Sequence, residues 1–155
     1  MNIELLAAGT KPPAWIATGI SEYQKRLPRD WSFDIKEIPV STRRKGEPVT
    51  RQIKEEGDRM LAAITPASLV VTMDRGGKNW STEELAQNLD RWQLDYSKVQ
   101  ILIGGPDGLA NDCLKAASES WSLSKLTFPH FIVRILLAEQ IYRAWSVLNN
   151  HPYLK

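Results

Sequence analysis

The sequence predicts an α/β protein with a largely parallel sheet. Short apolar runs alternate along the chain with longer segments of helical period, which is the order expected when helices connect and cover parallel strands. Two of the runs, SLVVTMD and VQILIGG, have the composition of short buried strands. No internal repeat or linker interrupts this order, so we expect residues 1–155 to form a single domain.

The first half of the chain predicts two strands and two helices. The run IELLAAG predicts a first strand that ends at Gly9. A helix follows Pro13 and ends before Pro28, because proline is tolerated at a helix start and not in its interior. WSFDIKEIPV alternates as a strand with a half-exposed face does, and residues 47–63 have the apolar stripe of a helix.

The second half continues the alternation. After the buried strand SLVVTMD, Ser81-Thr82-Glu83-Glu84 resembles a helix start, with a capping hydroxyl and acids in the first turn. The remaining predicted elements are the buried strand VQILIGG, a helix over about residues 109–118, a short strand WSLS, and an apolar helix in residues 126–145. This pattern alone favours an unknotted sheet of the flavodoxin type, since true knots are rare.

Composition excludes several classes of protein. A chain of 155 residues that is 43% hydrophobic can bury a substantial core, and its 25% charged residues without a biased tract argue against disorder. One cysteine, Cys113, excludes an internal disulfide framework and a multi-thiolate metal site. The N-terminus lacks a signal-peptide pattern, and Arg134 interrupts the longest apolar run. We therefore expect a reduced cytoplasmic protein without a metal or a membrane span.

Charge gives a weaker indication. The net charge of +2 is far from the strongly basic balance of a protein that binds naked nucleic acid by charge alone. One segment, residues 41–54, is a candidate for phosphate contact. Its cations are Arg43, Arg44, Lys45, Arg51 and Lys54, against the single acid Glu47. A solvated basic loop that leads into a helix explains the same residues.

Three loops follow predicted strands, at the edge where α/β sheets place their ligands. They are residues 72–77, 104–108 and 123–130. Glycines in the second loop allow a positive φ or a close approach of the backbone to a ligand, although Gly-Pro-Asp-Gly is also common turn chemistry. Neither GxGxxG at the opening of a helix nor GxxxxGK[ST] is present, so ordinary dinucleotide and P-loop sites lose support.

The last helix is apolar nearly all the way round, yet it contains two polar pairs. His130 and Arg134 share one face, Glu139 and Arg143 share another, and the two pairs point in different directions. This arrangement favours burial between the domain and a partner subunit, with one pair at a ligand cleft and the other at an interface. A structural ion pair for Glu139 and Arg143, and a capping role for His130, are the alternatives.

In order and spacing, the whole chain resembles the ribosomal large-subunit methyltransferase H family. The motifs that carry the resemblance are LLAAGTK, EYQKRLPRD, ILIGGPDGL, WSLSKLTFPH, VRILLAEQIYRAW and NHPY. The resemblance implies a SPOUT-class fold with a C-terminal trefoil knot, a homodimer, and S-adenosylmethionine as cofactor. It also implies methylation of N3 of a pseudouridine in 23S ribosomal RNA within the ribosome.

The resemblance also assigns roles to residues. The implied cofactor set is Met73, Gly104, Gly105, Leu123, Ser124, Lys125, Leu126, Thr127 and Phe128. Core packing is the alternative for Met73, which can fill irregular gaps. Asp74 and Asp107 are further candidates to hold the cofactor's ribose or amino group, with turn capping as their alternative.

A sulfonium is already an activated methyl donor, so the protein must align the reactants and remove the N3 proton. The catalytic candidates are Arg143, His130, Glu139, Arg134 and Tyr153, with His151 beside them. Two rival functions remain open, namely a SPOUT methyltransferase that acts on transfer RNA and a non-catalytic RNA-binding module.

Overall fold

The computed structural model describes residues 1–42 and 45–154. Arg43 and Arg44 of the basic segment lie outside these residues. The strands are β1 (Asn2–Ala8), β2 (Ser32–Ile38), β3 (Leu69–Asn79), β4 (Lys98–Ile103) and β5 (Glu119–Ser122). The helices are α1 (Ala14–Gln24), α2 (Val49–Ala62), α3 (Thr82–Asp95), α4 (Asn111–Ala116) and α5 (His130–Leu148), followed by a 3₁₀ turn at Pro152–Leu154. The alternation of strands and helices predicted from the sequence is confirmed.

The five strands form one parallel sheet in the order β2-β1-β4-β3-β5. The flavodoxin-type order, in which β3 would lie beside β1, is therefore wrong for this chain. Both β3 and β4 begin as apolar runs that are buried on both faces. Hydrophobicity consequently predicts that both strands are internal, but it does not predict which of them pairs with β1.

Helices cover both faces of the sheet. Helices α1, α3 and α5 pack together on one face, and α2 packs with α4 on the other. Successive residues of β1 alternate between the two layers, so that Leu5 and Ala7 join the first core while Leu6 and Ala8 join the second. The result is a three-layer sandwich in which the carboxyl ends of the strands meet at one edge.

Several element ends differ from the prediction. Helix α5 begins at His130 rather than near residue 126, because Pro129 occupies the N-cap and residues 126–129 remain part of the loop. Strand β3 runs on to Asn79, with a register shift against β5 between Met73 and Lys78. The predicted start of α3 is confirmed as a capping box, in which Glu84 N–H donates to Ser81 Oγ (3.1 Å) and Ser81 N–H donates to Glu84 Oε2 (2.7 Å).

Candidate cofactor site

A cavity of about 520 Å³ lies at the carboxyl ends of the central strands, and its volume is within the usual range for small-molecule sites. Its walls come from four places along the chain. These are the middle of β3, the end of β4 with the β4–α4 loop, the end of β5 with the β5–α5 loop, and the first turn of α5. The three segments predicted as strand-end loops therefore converge on one cavity, although residues 72–77 belong to β3 rather than to a loop.

The β4–α4 loop is a tight turn that depends on glycine. Gly108 has a φ of +87° and its N–H donates to the carbonyl of Gly105 over 3.0 Å. A Cβ on Gly104 would lie 2.5 Å from the backbone carbon of Gly108, which is closer than real Cβ contacts occur. Only glycine fits at residue 104, and the resulting close turn leaves the loop backbone as one wall of the cavity.

Eight of the nine residues in the implied cofactor set line the cavity: Met73, Gly104, Gly105, Leu123, Ser124, Leu126, Thr127 and Phe128. Lys125 is exposed and does not line it. The β5–α5 loop is held by its own serines, since Ser122 Oγ donates to the Ser124 carbonyl (3.1 Å) and Leu126 N–H donates to Ser124 Oγ (3.0 Å).

Arg75 also lines the cavity, although it was not among the predicted site residues. Its guanidinium donates to Thr127 Oγ1 over 2.7 Å and so joins the middle of β3 to the β5–α5 loop. Asp74 and Asp107, which were considered as cofactor contacts, both lie on the lining. Asp74 accepts a hydrogen bond from Gly76 N–H (3.2 Å), as the turn-capping interpretation expected. The cavity therefore has two carboxylates and one guanidinium on its wall.

His130 and Arg134 both reach the carboxyl end of β1. His130 lines the cavity, and its Nε2 is hydrogen-bonded to the carbonyl of Ala8. Arg134 does not line the cavity and is only 1% exposed. Its Nη2 donates to the Gly9 carbonyl (2.8 Å) and its Nη1 to Glu37 (3.1 Å), so it ties α5 to β1 and β2.

Burial, together with the positive charge of Arg134, holds the pKa of His130 below its ordinary value, although the bond to Ala8 acts in the opposite direction. A carbonyl oxygen can only accept, so the ring proton of neutral His130 must lie on Nε2. The other ring nitrogen, Nδ1, then carries a free lone pair. The lowered pKa favours the neutral form of His130 on the wall of the cavity.

The second polar group of α5 does not belong to this cavity. Arg143 binds Glu139 through Nε (2.8 Å) and Nη2 (2.6 Å), and Tyr153 donates its hydroxyl to Glu139 over 3.1 Å. The guanidinium of Arg143 also lies over the Tyr153 ring, 5.0 Å from its centre. Burial and hydrogen bonds with Tyr23 and Glu139 raise the pKa of Tyr153 to about 12, so its hydroxyl stays protonated at neutral pH.

The tail ends beside the same cluster. The ring centre of His151 lies 5.6 Å from that of Trp145, and the tilted rings of Tyr142 and Tyr153 have centres 4.7 Å apart. Two cations of the basic segment form ion pairs within α2. Arg51 pairs with Glu55 (3.0 Å), and Lys54 pairs with Asp58 (3.0 Å).

Residues 1–153 match the sequence profile of a family described as "Predicted SPOUT methyltransferase". The chain belongs to the SPOUT methyltransferase family. A SPOUT methyltransferase uses S-adenosylmethionine as its cofactor, so the chain is a methyltransferase that depends on S-adenosylmethionine. The match covers nearly the whole chain, as the resemblance in the sequence implied.

Solved structures share the SPOUT fold of this chain at low sequence identity. One is a probable methylase family protein from Haemophilus influenzae Rd KW20, with a TM-score of 0.53, 15% identity, and coverage of 96% of this chain and 67% of that chain. Another is a probable methyltransferase from Bordetella pertussis Tohama I, with a TM-score of 0.54, 14% identity, and coverage of 92% and 95%. At such identities the likeness establishes the fold alone.

The residues of the cavity fit the SPOUT cofactor. Adenine is flat and largely apolar, and the wall offers Leu123, Leu126 and Phe128 beside the free backbone edges of a glycine loop. The sulfonium centre is cationic, and the wall carries the carboxylates of Asp74 and Asp107. Both the apolar and the charged parts of the cofactor therefore have complementary groups on this wall.

Within residues 1–42 and 45–154, no three His, Cys, Asp or Glu side chains lie close enough together to hold a metal ion. Within the same described residues, no helix is both long enough and apolar enough to cross a bilayer.

Replacing Gly104 by Ala should weaken binding of S-adenosylmethionine by about 10-fold or more. Overpacking costs about 1–3 kcal/mol, and about 1.4 kcal/mol corresponds to a factor of ten. Here the added methyl meets backbone, which cannot rotate away. Isothermal titration calorimetry measures the affinity. Gly19→Ala in α1, where a Cβ meets only the side chain of Ile135, is the control and should bind normally. Normal affinity of Gly104→Ala would show that the loop does not form the binding wall.

Proposed function

We propose that this protein methylates N3 of a pseudouridine in 23S ribosomal RNA on the assembled ribosome. The observation that carries the proposal is the convergence of the GGPDGL loop and the SLSKLTFPH loop around one cavity, with His130 on its wall. These two motifs are the most specific part of the resemblance to the ribosomal large-subunit methyltransferase H family. Membership of the SPOUT family favours an enzyme over a non-catalytic RNA-binding module.

The chemistry requires alignment and removal of one proton. The cofactor supplies a methyl group on a sulfonium, which needs no further activation. The N3 of pseudouridine carries a proton, so a base must accept it as the methyl group is transferred. Neutral His130 is the candidate base, because Nδ1 bears the lone pair while Nε2–H is held by Ala8. The apolar wall limits water around the reacting atoms.

We further propose that the active unit is a homodimer with a knotted C-terminal region. Strand β5 lies at the edge of the sheet, whereas α5 begins beside Ala8 at the end of β1. The loop of residues 123–129 must therefore cross the ends of β3 and β4, as a knotted SPOUT fold requires. Glu139, Arg143 and Tyr153 form a cluster that does not line the cavity of its own chain. This position favours the use of the cluster by a partner subunit.

The ribosomal substrate is consistent with the modest charge of the chain. A net charge of +2 over these 155 residues is too small for binding by charge alone, and it favours recognition of a large preformed substrate by the dimer surface. An assembled ribosome presents its RNA in a fixed shape and adds contacts that naked RNA cannot. Such a substrate also implies that the protein acts in the cytoplasm.

Labelled methyl transfer tests the function directly. The purified protein should transfer methyl from S-adenosylmethionine to ribosomes that carry the pseudouridine without its methyl group. Incorporation should occur at one nucleotide and be greatest on the assembled particle, with separate subunits and naked RNA as comparisons. Cofactor binding without incorporation into any ribosomal substrate would rule out the proposed substrate. Incorporation into transfer RNA instead would favour the rival SPOUT function.

The role of His130 predicts a pH profile. Because its pKa lies below the ordinary value, methyl transfer should already be fast at neutral pH and should fall only on acidification, as the ring gains a proton. His130→Gln can still donate a hydrogen bond to Ala8 but cannot act as a base, so its single-turnover rate should fall by about 10²–10⁴-fold. Its affinity for S-adenosylmethionine should change little. A His130→Gln rate equal to that of the unaltered protein would reduce His130 to a structural contact.

Arg143→Ala should abolish methyl transfer and leave cofactor affinity largely intact, because Arg143 does not line the cavity of its own chain. Calorimetry and the transfer assay separate the two effects. Arg91→Ala is the matched control, since it breaks another arginine–carboxylate pair, with Glu119 at 2.8 Å, on α3. Loss of the fold or of the dimer in Arg143→Ala would instead indicate that the pair with Glu139 is structural.

A further inference from the structure

A carboxyl group is buried directly behind the candidate cofactor loop. Glu56 lies on α2 and is 7% exposed. Its position, three residues after Ile53 and four before Met60, is on the apolar stripe of the helix rather than on its polar face. It lies beside Gly57 and Leu109 in the space between α2 and the β4–α4 loop. A residue that normally prefers water is therefore held inside the core.

Only one layer of backbone separates Glu56 from the cavity. Gly104, Gly108 and Leu109 line both the cavity and the space next to Glu56. A Cβ on Gly105 would lie 3.3 Å from Glu56 Oε2. The carboxyl group therefore lies next to Gly105, a residue that also lines the cavity. The electric field of this group acts across a peptide layer and not through bulk water.

No cation neutralises Glu56 at close range. Among the residues that the structure describes, no Lys, Arg or His nitrogen lies within 4 Å of its carboxylate. Arg59, on the same helix, directs its guanidinium to the Pro39 carbonyl (2.8 Å) and to Ser41 (3.2 Å). The Gln52 side chain and Arg59 act to lower the pKa of Glu56, but burial and the nearby negative charge of Asp107 outweigh them and raise it.

We propose that ionised Glu56 biases the cavity toward the cationic cofactor and against its neutral product. S-adenosylmethionine carries a positive sulfonium, a positive ammonium and a negative carboxylate, so its net charge is +1. Loss of the methyl group leaves a thioether, and S-adenosylhomocysteine has no net charge. A buried carboxylate behind the loop, without an ion pair among the described residues, attracts the first more than the second. Glu56 is thus a positioning residue for product release that makes no contact with the ligand.

The expected size of this preference follows from Coulomb's law. For a charge about 12 Å from the sulfonium, an effective dielectric constant of about 20 to 40 corresponds to a change of roughly 3- to 10-fold in the ratio of the two dissociation constants. Burial is the first cause that raises the pKa of Glu56 above its ordinary value, and Asp107 raises it further. The preference for the cationic ligand should therefore increase as pH rises through that pKa.

Other charged groups face the same region and must be separated from Glu56. Asp107 lies on the loop, Arg59 lies on α2, and Asp74, Arg75 and His130 line the cavity beyond the loop. Protonation of His130 on acidification also disfavours a cationic ligand, so the pH dependence of the unaltered protein does not identify Glu56 by itself. The comparison with Glu56→Gln, which keeps the shape and removes the charge, isolates the contribution of Glu56.

The experiment is a calorimetric titration of each ligand, S-adenosylmethionine and S-adenosylhomocysteine, at pH values from about 5 to about 8.5. Glu56→Gln should bind the product as tightly as the unaltered protein does. It should lose roughly 3- to 10-fold of the preference for S-adenosylmethionine at the upper end of the range, and the two proteins should converge at the lower end. Asp58→Asn removes the same charge from an exposed site on α2 and should leave the ratio unchanged.

Stability distinguishes a charge effect from a packing effect. Because the folded protein raises the pKa of Glu56, its stability falls as pH rises through that value. Glu56→Gln should unfold at the same or a higher temperature at neutral pH and should lose this part of the pH dependence. The proposal rests on the cofactor site proposed above. Equal ratios for Glu56→Gln and the unaltered protein would overturn this inference alone, whereas failure of the unaltered protein to bind either ligand would overturn the site with it.

Discussion

The junction between the start of α5 and the end of β1 organises the functional edge of this molecule. His130 binds the carbonyl of Ala8 and Arg134 binds that of Gly9. Two consecutive carbonyls at the end of β1 therefore accept hydrogen bonds from one turn of α5. These contacts bring the last long helix of the chain to its first strand. They also require the β5–α5 loop to cross the ends of the intervening strands, where it becomes a wall of the cavity.

The junction also explains why a strongly apolar helix contains polar side chains. Arg134 is buried because its guanidinium replaces water with a carbonyl and the carboxylate of Glu37. His130 is half-buried with an acceptor for its Nε2–H, and that acceptor fixes which nitrogen keeps the lone pair. Specific partners thus satisfy both terminal nitrogens of Arg134, while its buried Nε has no hydrogen-bond partner within the described residues. Glu139 and Arg143 are satisfied by each other and by Tyr153.

The sequence predicts the strands and helices well, since apolar runs and capping signals are local. It does not predict that β4 separates β1 from β3, because two equally apolar runs compete for the same place. The glycine loop and the SKLTFPH loop were recognisable as strand ends. Residues 72–77 were also predicted as such a loop, but the role of Arg75 within them was not, since its bond to Thr127 joins residues that are 52 positions apart. Glu56 did carry a signal, namely an acid at an apolar position of the α2 stripe.

The bond between His130 and Ala8 spans 122 residues, so the cavity needs both ends of the domain. During synthesis the chain emerges from its amino end, and β1 is available long before the first turn of α5. A growing chain that lacks residue 130 has no complete cavity wall, whatever part of the sheet has already formed. Ligand binding is therefore a property of the finished chain, and the long sequence separation of this closing contact favours slow folding.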